Sequence, residues 1–353
     1  MLRRLDGEAS DPGRDAGPED LCHVSDTQPG WTRRRAGRGF TYLDAQGRPI
    51  RDDARLTRLR ALAIPPAWRD VWICPDPRGH IQATGRDARG RKQYRYHPVW
   101  AEAQGAQKFA GLGDFGRALP ALRAQVDADL RRRGAPPERV MATVVRLLDI
   151  GLIRIGNDCY AAENRSFGAT TLRARHLSLQ GSTLRFTFTG KSGKEWRLKV
   201  HDRRIATALR SIQDLPGQRL FRYLDDEGRP QDLLSQDVNA YIRAAVGEEF
   251  SSRHFRPWGG SVQALGLLGQ CDRPEGKAAR ARALNAAIAE VARRLHNTRA
   301  VCRQSYIHPA ILAAWEDGGL TPALSDLRRR LPRPLKGLDA GESLFLRWLD
   351  RQG

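Results

Sequence analysis

Four separated stretches of this 353-residue chain carry side chains suited to phosphoryl transfer. An arginine lies between isoleucines in Ile153-Arg154-Ile155-Gly156-Asn157, and a lysine stands in the glycine-flanked turn Gly190-Lys191-Ser192-Gly193. A second arginine sits among aromatics in His254-Phe255-Arg256-Pro257-Trp258, and Asn297 and Tyr306 share the stretch His296-Asn297-Thr298-Arg299-Ala300-Val301-Cys302-Arg303-Gln304-Ser305-Tyr306-Ile307-His308-Pro309. When a phenol attacks a phosphodiester, charge builds on the equatorial oxygens, where two guanidiniums and an amide donor stabilise it. An ammonium can then protonate the departing oxygen. No carboxylate pair or His/Cys cluster with metal-ligand spacing accompanies them, so no metal or other cofactor is expected.

Each piece has a plainer reading when taken alone. An inward Arg154 needs an anion or a hydrogen-bond partner, and Asp149 or Asp158 could supply it through a salt bridge. Lys191 reads as a solvated turn lysine whose glycines allow close backbone approach. Arg256 could simply stack on Trp258. A lone asparagine is most often a cap, and a phenol with a free pKa of about 10 is a poor nucleophile at neutral pH without help.

The elements that must position these residues fall into two groups. Residues 1–36, rich in Gly, Pro and acids, read as a disordered tail. Residues 37–106 read as a small sheet domain: a strand at 39–43, a helical stretch at 53–62, and strands at 71–74 and 80–84 joined by a turn. Residues 107–353 read as a larger, mainly helical domain, with apolar residues at helical spacing at Leu119, Leu122, Val126 and Leu130. One β-hairpin interrupts it, where Leu184, Phe186 and Phe188 alternate before the turn holding Lys191, and Trp196, Leu198 and Val200 alternate after it. The fold class is therefore α+β, and the helical pattern resumes over 276–295.

Composition limits the partner. Sixty Lys and Arg against forty Asp and Glu leave a formal charge of +20, while residues 1–30 hold seven acids against three arginines. Such a field calls for a polyanion, and arginine's planar fork suits phosphate oxygens. No stretch approaches the roughly 20 apolar residues of a membrane helix, so nucleic acid is expected rather than membrane. The five cysteines, Cys22, Cys74, Cys159, Cys271 and Cys302, stand far apart and suggest neither a disulfide framework nor a zinc site; a reducing cytoplasm suits them.

In order, R-x-G-N, G-K-x-G-K, F-R-x-W and N-T-x-A-V-C-R-x-S-Y-I-H-P resemble the bacterial branch of the type IB DNA topoisomerases, relatives of the poxvirus and eukaryotic nuclear enzymes. The upstream Ile64-Pro65-Pro66-Ala67-Trp68 and the run from Gln82 to His97 look like that family's N-terminal domain. The resemblance implies the tyrosine recombinase/topoisomerase IB-like catalytic fold and relaxation of supercoiled duplex DNA, in the cytoplasm at the bacterial nucleoid, without metal or ATP. It implies Tyr306 as the nucleophile of a 3′-phosphotyrosyl intermediate, Arg154 and Arg256 as the phosphate clamp and Lys191 as the general acid. Asn297 stands where other members use a histidine. Two departures are visible: Arg253 replaces a lysine, and Pro257 follows Arg256, which is harmless only in the first turn of a helix.

The same resemblance sends Arg86, Arg89, Arg91, Lys92, Gln93, Tyr94 and Tyr96 towards the DNA, and implies a monomer clamped around double-stranded DNA. A tyrosine recombinase shares this logic but ordinarily shows a His-x-x-Arg box, where this chain has His254-x-Arg256. A non-catalytic DNA clamp on the same fold is the other rival.

Overall fold

Short alternating runs before residue 100 build an antiparallel sheet, and helical spacing after it builds a helical body. The computed structural model describes residues 20–352 apart from 38, 159, 160, 163, 164 and 214, and leaves out the side chains of 104 and 106–108. The chain divides into two units, Met1–Lys108 and Phe109–Gly353. The fold is α+β. Among the described residues no helix is long and apolar enough to cross a membrane.

In the first unit, strands β1 (Trp31–Ala36), β2 (Gly39–Leu43), β3 (Arg69–Ile73), β4 (Ile81–Arg86) and β5 (Lys92–Tyr96) form one sheet in the order β2-β1-β3-β4-β5. Helix α1 (Asp53–Ala61) begins at Asp52, whose side chain accepts the Arg55 N–H at 2.7 Å, a side-chain cap for an otherwise unpaired helical donor. Trp31, Leu59, Ile64, Val71, Ile73 and Ala83 make the unit's small core.

The expected tail does not extend to residue 36. Residues 1–19 lie outside the described residues, but Trp31–Ala36 pairs with both β2 and β3. Its arginines hide a strand: Trp31 is buried, and the Arg33 guanidinium donates to the carbonyls of Ile64 (2.9 Å) and Pro65 (2.8 Å) while lying 4.0 Å from the Phe40 ring centroid. The basic run after residue 86 likewise contains β5, which pairs with β4.

In the second unit, α3 (Leu112–Asp129) packs Leu119, Leu122 and Val126 into the same core as Val140, Val144 and Leu148 of α4 (Pro137–Gly151). Helix α2 (Pro98–Ala110) contains the division between the units. The expected hairpin is present as β7 (Thr183–Thr189) and β8 (Glu195–His201), extended by β6 (Leu177–Gln180) to three strands. Next come α5 (Arg203–Gln213), the strand pair β9 (Arg222–Leu224) and β10 (Pro230–Asp232), and α6 (Ser235–Val246). The rest is helical: α7 (Phe255–Leu268), α8 (Lys277–Arg294), α9 (Arg299–Ser305), α10 (Pro309–Asp317), α11 (Leu320–Arg330) and α12 (Ala340–Leu349).

A polar knot ties four of these helices. Arg123 of α3 donates to Asp149 of α4 at 2.8 and 2.9 Å and twice to Glu342 of α12 at 2.7 Å, and Trp258 of α7 donates its indole N–H to Glu342 at 3.1 Å. Cys159 lies outside the described residues; Cys22, Cys74, Cys271 and Cys302 are free thiols.

Candidate active site

Helix α4 ends when Leu152 adopts a left-handed backbone (φ 50°), which turns the chain into Ile153-Arg154-Ile155-Gly156. That segment is pinned from outside: Ala169 N–H donates to the Arg154 carbonyl at 2.8 Å and Thr170 N–H to the Ile155 carbonyl at 2.7 Å. Only glycine permits this approach at position 168, because a Cβ there would lie 2.6 Å from the Arg154 oxygen. With its backbone held, Arg154 extends Nη2 to Asn297 Oδ1 at 2.8 Å. The acids that could have claimed it are engaged elsewhere, Asp149 by Arg123 and Asp158 by Arg219 at 3.0 Å. Among the described residues neither Arg154 nor Arg256 forms an ion pair with a carboxylate.

Arg256 and Pro257 are the second and third residues of α7, inside its first turn. A proline there removes only a donor that has no intrahelical acceptor, so its geometry is benign. Arg256 is 4% exposed. It donates to the Leu152 carbonyl and, at 2.8 Å, to the Leu295 carbonyl. Leu152 and Leu295 are the C-cap residues of α4 and α8, so one buried cation satisfies carbonyls at two helix ends. Nε is buried without an acceptor among the described residues. The expected stacking on Trp258 is not found; the guanidinium carbon lies 4.8 Å from the Tyr306 ring centroid and 5.8 Å from that of Trp196. Burial, reinforced by the charge of Arg154, pushes Arg256 down to about 10. An anion received between the two guanidiniums would relieve that penalty.

Asn297 is delivered by the end of α8. His296 N–H bonds to the Arg293 carbonyl and Asn297 N–H to the Ala292 carbonyl, a Schellman turn with left-handed His296 at its centre. The Asn297 amide is then held on both sides, accepting from Arg154 and donating to Leu295 O at 3.2 Å. Tyr306 caps α9, and its main chain packs on α7: a Cβ on Gly260 would collide with the Tyr306 carbonyl oxygen. Beside it the Ser261 hydroxyl accepts the His308 N–H at 2.9 Å, so Ser261 fixes the chain just past Tyr306.

Lys191 is exposed at the β7–β8 turn and shares with Arg154 a cavity of about 190 Å³, lined also by Ile155, Gly156, Phe167 and Gly168. The flanking glycines serve the fold rather than a ligand. Gly190 makes room for the Trp196 indole, 2.6 Å from where a Cβ would sit, and Gly193 takes a φ of 73°. Among the described residues no group of three or more His, Cys, Asp or Glu side chains gathers to hold a metal ion.

In the first unit, Tyr94 and Tyr96 lie on one face of β5, 41% and 46% exposed, with rings stacked at 5.7 Å and Lys92 Nζ 5.5 Å from the Tyr94 centroid. Gln93 faces away from this pair, as the period of two requires, and donates to Asp87 at 3.1 Å. Asp87 also binds Arg91 at 2.7 Å, and Lys92 binds Asp26 at 2.6 Å. Arg86 donates to the Gly90 carbonyl at 2.9 Å, and Arg89 is exposed.

Comparison with known proteins places the chain in a family. The family model "Eukaryotic DNA topoisomerase I, catalytic core" matches residues 98–318, and "Bacterial DNA topoisomerase IB, N-terminal domain" matches residues 39–87. The DNA topoisomerase 1B of Acanthamoeba polyphaga mimivirus is 30% identical over 282 residues, covering 78% of this chain and 84% of that protein. The chain belongs to the type IB DNA topoisomerases. More distant relatives include DNA topoisomerase 1 of Mycosarcoma maydis, 26% identical over 47% of this chain and 18% of that protein, and DNA topoisomerase 1B of Vaccinia virus (strain Copenhagen), 21% identical over 40% and 46%.

Sequence reasoning missed the supports of this candidate site: Gly260, Ser261, Trp196 and His296. The pair Gly259-Gly260 inside a helical run was an available signal of close approach. Nothing in the sequence marked His296 as left-handed or Trp196 as its partner.

Proposed function

We propose that Tyr306 is the nucleophile of the topoisomerase reaction and that Arg154, Arg256, Asn297 and Lys191 serve it. The phenolic oxygen of Tyr306 bonds to the scissile phosphorus, its proton passing to solvent, while the bond to the 5′ oxygen breaks. Lys191 gives a proton to that oxygen, which leaves as a 5′ hydroxyl. Arg154 and Arg256 hold the non-bridging oxygens, and Asn297 donates an amide N–H to one of them. Religation reverses each step: the 5′ hydroxyl attacks phosphorus, Lys191 recovers its proton and Tyr306 is released. The phosphotyrosyl bond retains the energy of the phosphodiester, so rotation of the free 5′ end relaxes DNA without ATP.

One observation carries this reading. Arg256 is a buried guanidinium with no carboxylate partner among the described residues, 4.8 Å from the ring of Tyr306. A cation left in that state is set for an anion that arrives from outside.

Double-stranded DNA, held by a single chain clamped around the duplex, completes the reading. Tyr94, Tyr96 and Lys92 offer an aromatic and basic face for it, with Arg86 beside Lys92 across the β4–β5 pairing, Arg89 and Arg91 in the turn before it, and Gln93 on the other face of the strand. Most contacts would go to phosphates, so affinity should fall steeply with salt. The match to a bacterial N-terminal domain supports a place on the bacterial nucleoid. The test is to incubate the protein with supercoiled plasmid in EDTA, quench with detergent and look for protein on a 3′ end. Tyr306→Phe should lose both relaxation and trapping while keeping DNA affinity; relaxation by that variant would falsify the assignment.

A further inference from the structure

Residue 296 is a histidine in a left-handed backbone, φ 47°, a conformation that side chains other than glycine rarely adopt. A glycine would make the same Schellman turn without strain, so a glycine there separates the contribution of the imidazole from that of the turn. Its ring stacks on Trp196 at 4.2 Å and 27°, and Trp196 stacks in turn on Phe188 at 5.8 Å and 6°. Trp196 is the second residue of β8, and its indole packs directly on Gly190, the residue before Lys191. Gly190 N–H closes the turn on the Lys194 carbonyl at 2.7 Å. On its other side His296 is bonded to Asn297, whose side chain meets Arg154 at 2.8 Å.

We propose that His296 is a positioning residue: by stacking on Trp196 it locks the turn that carries Lys191 to the turn that carries Asn297, fixing the proton donor relative to the phosphate clamp. Burial holds the imidazole below its ordinary range, and the charges of Arg256, Arg154 and Arg293 act in the same direction despite a bond with the Glu195 backbone. The neutral ring therefore stacks at pH 7 without adding another cation. The inference rests on Lys191 being the donor to the 5′ oxygen.

The test is single-turnover cleavage of a duplex whose scissile bond ends either in an ordinary 5′ oxygen or in a 5′ bridging sulfur. A thiolate leaves without a proton, so the sulfur substrate bypasses the donor. His296→Gly relieves the backbone strain and removes the ring; His296→Phe keeps a stacking ring and the strain. With the oxygen substrate, His296→Gly should cleave at least about tenfold more slowly, a part of the 10²–10⁴-fold that a proton donor contributes. With sulfur its rate should return to that of the parent, and His296→Phe should stay near the parent on both. Thermal melting and DNA affinity should be unchanged or improved for His296→Gly. A slow His296→Gly that sulfur does not rescue, or a parental rate with oxygen, overturns the proposal. Lys191→Ala is the control: if sulfur fails to rescue it, the donor role of Lys191 falls, and this inference falls through its premise rather than through the stacking.

Discussion

Arg154 and Asn297, 143 positions apart in the chain, meet through a hydrogen bond of 2.8 Å from guanidinium to amide oxygen. The bond orients the amide, because its oxygen is taken by Arg154 and its nitrogen already reaches the Leu295 carbonyl. One N–H remains for a phosphate oxygen. Asn297→Ala should slow cleavage by about 10²-fold, the scale of losing one donor to a developing oxyanion. Asn297→Asp should be slower still, since a carboxylate would neutralise Arg154 and repel the phosphate. Single-turnover cleavage rates check both, and equal rates for the two variants would contradict the electrostatic argument.

Arg256 caps two helices and faces the Tyr306 ring at once. Arg256→Lys keeps the charge but replaces a planar fork with a point, so it cannot serve both carbonyls in the same geometry. Each buried carbonyl left without a donor costs about 1–3 kcal/mol. The expected result is a lower melting temperature together with a cleavage rate down by about 10²-fold or more. Binding of uncleaved DNA, measured in parallel, should change little.

Gly260 carries no side chain because the Tyr306 carbonyl rests on it. Gly260→Ala must push that backbone away from α7, at a cost of about 1–3 kcal/mol from overpacking. Cleavage should slow with the oxygen and the sulfur leaving group alike, because shifting the Tyr306 backbone moves the phenol proposed to attack rather than the proton donor. Rescue by sulfur would be the contrary result.

Pro257 lies in the first turn of α7. Pro257→Ala should therefore leave relaxation within about twofold of the parent, since no helical bond is restored by the new N–H. A large gain in rate would mean that the proline misdirects Arg256.

Burial alone would raise the Glu342 carboxyl, but bonds from Arg123, from the Asp339 N–H and from the Trp258 indole outweigh it and hold the group below its ordinary value. A carboxyl depressed in the folded state contributes stability above its unfolded pKa, and that contribution is lost as pH falls through the folded value. Glu342→Gln should lose about 3 kcal/mol at pH 7, because it breaks a buried pair. The gap to the parent should narrow on acidification below about pH 4. Denaturant unfolding of both proteins from pH 7 to pH 3 measures it, and a gap independent of pH would count against the ion pair as its source.

The helical and strand periods of the second unit and the hairpin around Lys191 were legible in the amino-acid sequence, and so were five candidate side chains for the proposed reaction, because amphipathic spacing and residue chemistry are local properties. The strand at Trp31–Ala36 was not, since three arginines conceal an extended segment whose only apolar anchor is one tryptophan. What tertiary structure alone decided is which partner each charge would take. Sequence offered Asp149 and Asp158 to Arg154 and Trp258 to Arg256; folding gave the acids to Arg123 and Arg219 and the indole to Glu342. Those assignments depend on where helix ends converge, at Leu152 and Leu295, and such convergence is a non-local outcome of packing that no spacing along the chain encodes.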